Sequence, residues 1–291
     1  MDAPADGPDN LPRNPDPPMT SAEPQKVRIR GHDLAYHRQG KGPPVLLVHG
    51  ITTYSFIWRK ILPILAEHHD VVAVDLLGCG DSEKPLNVSY SIANHVELLH
   101  EFTQELGFGP FAFIGHDIGG GIAQRFAVIH PERLTRAAVI NGVAYDFWPV
   151  QPIIAMRTPI IRQMAMATLD MGAFKLIVKR GVFHTERVDA QLMDHFWKPM
   201  RTREGRKGFL HFAESLDNRD LMSIATDLRL TQVPFLIIRG MDDVYLSAEI
   251  SHRLHEEIPG SRLLEIPQAG HFIQEDQPDL LARVLDEFIG G

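Results

Sequence analysis

The sequence predicts an α/β fold, in which a mostly parallel sheet is doubly wound by helices and interrupted by a helical insertion. Three observations predict it. Short apolar runs of four to six residues alternate with helical patterns along most of the 291 residues, as in a sheet covered on both faces. A stretch over 146–231 breaks that rhythm with helical patterns alone. The glycine-flanked pentapeptide Gly115-His116-Asp117-Ile118-Gly119 sits between an apolar run and a helical one.

The elements follow in order. Apolar–polar alternation over 27–38 around Gly31-His32 predicts an opening hairpin. Residues 44–48 predict a buried strand and 56–67 a helix. Strands over 71–74, 111–114 and 137–140 then alternate with helices over 91–106 and 119–130. After the insertion, strands over 234–238 and 262–266 alternate with helices over 247–257 and 277–288. The predicted core is therefore 26–145 with 232–291, and the predicted cap is 146–231. Seven of the ten methionines fall in the cap. They suit a helical core and also an adaptable apolar lid over a pocket.

Composition excludes several classes. The charge of −8 and the lack of long basic runs argue against a nucleic-acid partner. No apolar stretch approaches the roughly 18–20 residues that span a bilayer, so no membrane role is expected. The single cysteine, Cys79, cannot form an internal disulfide and fits a reducing compartment, so the expected location is cytoplasmic. Residues 1–25 hold seven of the 21 prolines, five acids and one arginine, with no signal-peptide pattern. So polar a segment buries too little to offset its ordering entropy and predicts a disordered tail. The oligomeric state is not readable.

The chemistry is concentrated in short motifs. A tight strand–turn–helix elbow presents a nucleophile between glycines because the bend leaves no room for side chains beside it. Here the residue so presented is Asp117. The run Val45-Leu46-Leu47-Val48 leads into His49-Gly50-Ile51, the position of a loop that supplies an oxyanion N–H. Later, Arg239-Gly240-Met241-Asp242-Asp243 follows one strand and Ala269-Gly270-His271-Phe272 follows the last. The order nucleophile, acid, histidine fits that elbow architecture. Two acids adjoin, and spacing from Gly240 favours Asp243 over Asp242. No His-x-x-x-His pair with a glutamate between appears among the fifteen histidines, so no metal is expected, and no cofactor.

Over nearly all of 27–290 the chain resembles the α/β-hydrolase superfamily, and its Gly-His-Asp elbow resembles the branch of haloalkane dehalogenases, fluoroacetate dehalogenases and epoxide hydrolases. The resemblance implies Asp117 as nucleophile, His271 as base and Asp243 as the acid orienting it. It also implies an oxyanion hole from the N–H groups of Ile51 and Ile118, a structural role for Asp75, and a cap over 146–231. An aspartate is ionised without help from a base. Its attack on an acyl carbon would give an anhydride, whereas attack on a saturated carbon gives an ordinary ester. Aspartate therefore favours alkyl substrates with a halide or epoxide oxygen as leaving group.

The sequence departs from the branch where leaving groups are gripped. Haloalkane dehalogenases usually place asparagine after His-Gly and tryptophan after the nucleophile; fluoroacetate dehalogenases usually place arginine there. Ile51 and Ile118 occupy those positions, and neither side chain donates a hydrogen bond. Epoxide hydrolases usually use cap tyrosines, and 146–231 has none. The remaining candidate donors are the indoles of Trp148 and Trp197, a cap histidine (His184, His195 or His211) and the Tyr54 hydroxyl. Packing or surface exposure is the competing expectation for each. The expected activity is dehalogenation of a small, apolar haloalkane or a haloacid. The alternatives are epoxide hydrolysis, hydrolysis of a lactone or other strained ring, and a small-molecule-binding protein without turnover.

Overall fold

The computed structural model describes residues 23–147 and 171–291, with the backbone alone at Ala173. Eight strands form one sheet in the order β1-β2-β4-β3-β5-β6-β7-β8. They are β1 (Gln25–Ile29), β2 (His32–Gln39), β3 (Pro44–Val48), β4 (Asp70–Val74), β5 (Phe111–His116), β6 (Leu134–Ile140), β7 (Phe235–Gly240) and β8 (Arg262–Ile266). The hairpin β1–β2 and the pair β2–β4 are antiparallel, and every later pair is parallel. Central strands β3, β4 and β5 are buried almost end to end, as expected when helices cover both faces. The expected tail falls mostly on residues outside those described, but Gln25 already pairs with Tyr36 in β1, so its last residue is a strand.

The helices largely stand where periodicity puts them, with one correction. The predicted helix over 56–67 is a 3-10 turn, Ser55–Trp58, followed by a single helical turn, Leu62–Leu65. Pro63 explains the break. In an unbroken helix it would lie in the interior, without an N–H for the Arg59 carbonyl; here it lies in the first turn, where no N–H is needed. The regular elements among the described residues between β6 and β7 are all helices, chiefly Met171–Arg180, Ala190–Trp197 and Arg203–Ser215, which stand in the place of the expected cap. Asp189 caps the second through Leu192 N–H (2.8 Å) and Thr202 the third through Gly205 N–H (3.0 Å). A run of rings joins cap to core: Phe196 lies 5.0 Å from both Phe56 and Phe272. Of the cap methionines described, Met193 and Met200 are buried in this packing, while Met171 and Met222 are exposed. No helix among the described residues is long and apolar enough to cross a membrane.

Candidate active site

Four loops, at the carboxyl ends of β3, β5, β7 and β8, meet around Asp117. The elbow follows β5 directly and starts the helix Ile118–Ile129. Asp117 has φ 53° and ψ −116°, a conformation that L-residues seldom adopt. Its backbone carbonyl accepts N–H groups from Gly120 (3.0 Å), Gly121 (3.3 Å) and Val143 (3.2 Å), which hold the bend. A Cβ at Gly115 would collide with the Gly119 carbonyl, and one at Gly50 would lie 2.5 Å from Asp117 Oδ2. Glycine at these positions is what lets β3 and the helix approach the carboxylate.

The carboxylate is 8% exposed, and Ile51 N–H donates to Oδ2 at 3.0 Å. Burial raises its pKa above the ordinary value, while the His271 charge and the N–H groups of Ile51 and Ile118 oppose that rise. It is therefore a weakly solvated carboxylate with fixed donors in place of water.

Asp243 and His271 form a pair, Nδ1 donating to Oδ2 at 2.9 Å, with the Asp243 side chain 1% exposed. The other Asp243 oxygen accepts N–H from Tyr245 (2.8 Å) and Leu246 (3.1 Å). Burial alone would raise the Asp243 carboxyl, but the His271 charge and these hydrogen bonds bring it net below its ordinary value. Burial alone would likewise lower His271, but the charge and hydrogen bond of Asp243, with the Asp117 charge, raise it net. Because Nδ1 is given to Asp243, the neutral ring carries its lone pair on Nε2. Asp242 is exposed, and of the two adjoining acids it is Asp243 that meets His271.

The remaining expected residues are placed as follows. The backbone of Ile51 meets Asp117 as above, and the side chains of Ile51 and Ile118 are buried apolar wall. Tyr54 is buried, its ring 4.6 Å from that of Phe56 and 5.4 Å from the Lys198 ammonium, and no hydrogen bond joins it to Asp117. Trp197 packs on Phe174 at 5.6 Å in the cap core. Trp148 lies outside the described residues. Asp75 accepts N–H from Ser55 and Asp81, both at 2.7 Å, and so orders the two loops flanking the site. No three His, Cys, Asp or Glu side chains gather as a metal site among the described residues.

Several supporting residues were not anticipated. Asn141, at the carboxyl end of β6, donates to the carbonyls of Gly270 and His271 (both 3.0 Å) and accepts Gly240 N–H (2.9 Å). It thus ties the loop after β7 to the loop after β8. His116 Nε2 also reaches the His271 carbonyl at 2.9 Å, and burial pushes the His116 pKa down to about 3, so it is a neutral donor. Buried Asp276 accepts N–H from Gly270 (2.8 Å), Phe183 (2.9 Å) and His184 (2.9 Å), fastening the helical insertion to the His271 loop. The one available signal was place: polar residues at or just after strand carboxyl ends in such sheets usually serve a site.

Comparison with known proteins identifies the family. The pattern of the alpha/beta hydrolase fold family matches residues 43–171. Haloalkane dehalogenase 2 of Mycobacterium bovis is 32% identical over 95% of this chain and 98% of its own length. A cis-3-alkyl-4-alkyloxetan-2-one decarboxylase of Shewanella oneidensis is 26% identical over 89% of this chain and 86% of its own. The crystal structure of haloalkane dehalogenase DbeA from Bradyrhizobium elkani superposes with a TM-score of 0.81, covering 92% of this chain and 97% of that one at 24% identity, a likeness of fold. The chain belongs to the α/β-hydrolase family, in its haloalkane dehalogenase-like branch, and is a hydrolase.

Proposed function

We propose that this hydrolase acts through a covalent alkyl ester on Asp117 and that its substrates are small haloalkanes or haloacids. The observation that carries this reading is the carboxylate at the elbow, where a serine would serve acyl transfer. Its Oδ attacks a saturated carbon as the carbon–halogen bond breaks and halide leaves with the electron pair. His271 Nε2 then takes a proton from water, and the water oxygen attacks the ester carbonyl. Charge develops on the carboxyl oxygen facing the N–H groups of Ile51 and Ile118. Collapse of that intermediate expels the alkoxide, which takes the proton from the His271 imidazolium to leave as the alcohol, and loss of the remaining carboxyl proton to solvent restores the Asp117 carboxylate. The imidazolium formed on the way is stabilised by Asp243. No metal or organic cofactor enters this scheme.

A second reading, opening of a strained lactone or epoxide, is favoured by Ile51 and Ile118. Neither side chain can grip a free halide, whereas a ring oxygen stays tethered to the substrate and needs less holding. The four-membered lactone named for the Shewanella relative is of this kind. Bromoalkanes, haloacids, epoxides and lactones assayed side by side for halide, diol and hydroxyacid separate the two readings. Asp117→Asn is expected to abolish turnover of every substrate while circular dichroism stays unchanged. Turnover retained in that variant would refute the alkyl-ester scheme.

A further inference from the structure

The imidazole of His271 is walled by three rings. His116 lies at 4.8 Å, Phe272 at 5.1 Å and Tyr245 at 5.4 Å, the last edge-on at 84°. Tyr245 differs from the other two because it touches both partners of the pair and the cap. Its N–H donates to Asp243 Oδ1 at 2.8 Å, and its hydroxyl donates to the Ile177 carbonyl at 2.6 Å. Ile177 lies in the last turn of the cap helix Met171–Arg180, and its carbonyl also accepts the Gly181 N–H at 3.2 Å. Just beyond that turn, Gly181 packs bare against the same rings: a Cβ there would lie 2.5 Å from Phe272 and 3.1 Å from Tyr245. The Gly181 carbonyl also accepts Phe272 N–H at 2.9 Å. One turn of the cap therefore bears on both rings that flank the base. Burial pushes the Tyr245 phenol up to about 12, so it stays a donor at neutral pH.

We propose that Tyr245 is a positioning residue for the water-activating half of the reaction, making alignment of the His271 imidazole depend on the seating of the cap helix Met171–Arg180. The kinetic form of the proposal rests on the alkyl-ester reading above. Attack by Asp117 does not use His271, whereas hydrolysis of the ester does. Loss of the Tyr245 hydroxyl frees the ring to tilt, which loosens one wall of the imidazole and should slow the second step alone.

The test compares wild type with Tyr245→Phe, which keeps the ring. In single turnovers with 1-bromobutane and 1,2-epoxybutane, the rate of adduct formation on Asp117 should be unchanged. Decay of the adduct should slow about fivefold to tenfold, the worth of one hydrogen bond. Exchange of the His271 Nδ1 proton, followed by NMR without substrate, should quicken by a similar factor, about fivefold to tenfold. Equal slowing of both steps would mean general loosening of the cap and would overturn the proposal, as would no change in decay and exchange. If wild type forms no adduct, the alkyl-ester reading fails instead, and proton exchange still decides the role of Tyr245: quickening supports it, and an unchanged rate overturns it.

Discussion

Asp117 and the Asp243–His271 pair are held in opposite ways. The bend at Asp117 is set by its immediate neighbours, between glycines and capped by N–H groups three and four residues on, with Val143 and Ile51 N–H groups added from farther along the chain. Asp243 and His271 stand on separate loops and are aligned by residues remote in sequence. Asn141 bridges the two loops, His116 holds the His271 carbonyl, and Tyr245 and Asp276 fasten them to the cap. Local sterics shape the bend that presents Asp117, whereas the alignment of Asp243 with His271 rests on long-range hydrogen bonds. Substitutions in the two halves should accordingly fail in different steps.

The largest contrast is expected from His271→Gln. General-base catalysis contributes about 10²–10⁴-fold, so ester hydrolysis should fall by that order while alkylation of Asp117 proceeds. Intact mass measurement should then show a stable adduct. If alkylation stopped as well, the two halves would not be separable. The pH profile sharpens the same point. His271 is raised above its ordinary 6.5, in part by the Asp117 charge, and only the neutral ring can take a proton. Activity should therefore rise with pH through the folded pKa of His271. In the ester, Asp117 is neutral, so the midpoint for ester hydrolysis should lie below that of His271 titrated by NMR in the free protein. Coinciding midpoints would argue against Asp117 as the esterified group.

A smaller effect is expected from Asn141→Ala, which leaves the buried Gly240 N–H and Gly270 carbonyl without this partner. Denaturant unfolding should show a loss of about 2 kcal/mol, and ester hydrolysis should slow about tenfold with alkylation little changed. The smallest effect concerns stability at the elbow. Burial raises the Asp117 carboxyl, so its ionised form costs the folded state stability, progressively as pH rises from about the unfolded pKa. Asp117→Asn removes that cost and should raise the thermal midpoint at neutral pH, with the gain fading below the ordinary carboxylate pKa of 3.8. A lowered midpoint at pH 7 would mean that attraction to His271 outweighs burial.

The same division explains what was legible in the sequence. The strands and the elbow were readable because sterics act between near neighbours: apolar runs mark β3, β5 and β7, and flanking glycines mark the bend at Asp117. The position of Asp243 was readable from its spacing after Gly240. Asn141, Tyr245 and Asp276 were not readable, because a polar residue gains a role there only when distant carbonyls and N–H groups arrive. The segment 56–67 misled because its helical periodicity is real, while Pro63 divides it into two turns. Substrate choice is the least legible part. It depends on which side chains face Asp117, and at Ile51 and Ile118 the familiar donors are replaced by apolar groups that name no leaving group.

The central claim is that substrate carbon is bonded to Asp117 and released by attack on the carboxyl carbon. It is tested most directly by a single turnover in heavy-oxygen water, followed by mass analysis of the product and of the peptide bearing Asp117. The scheme predicts a product alcohol carrying ordinary oxygen from the enzyme, and the heavy label in the Asp117 side chain. Heavy oxygen in the alcohol with none in Asp117 would mean that water attacks the substrate itself, and would contradict it.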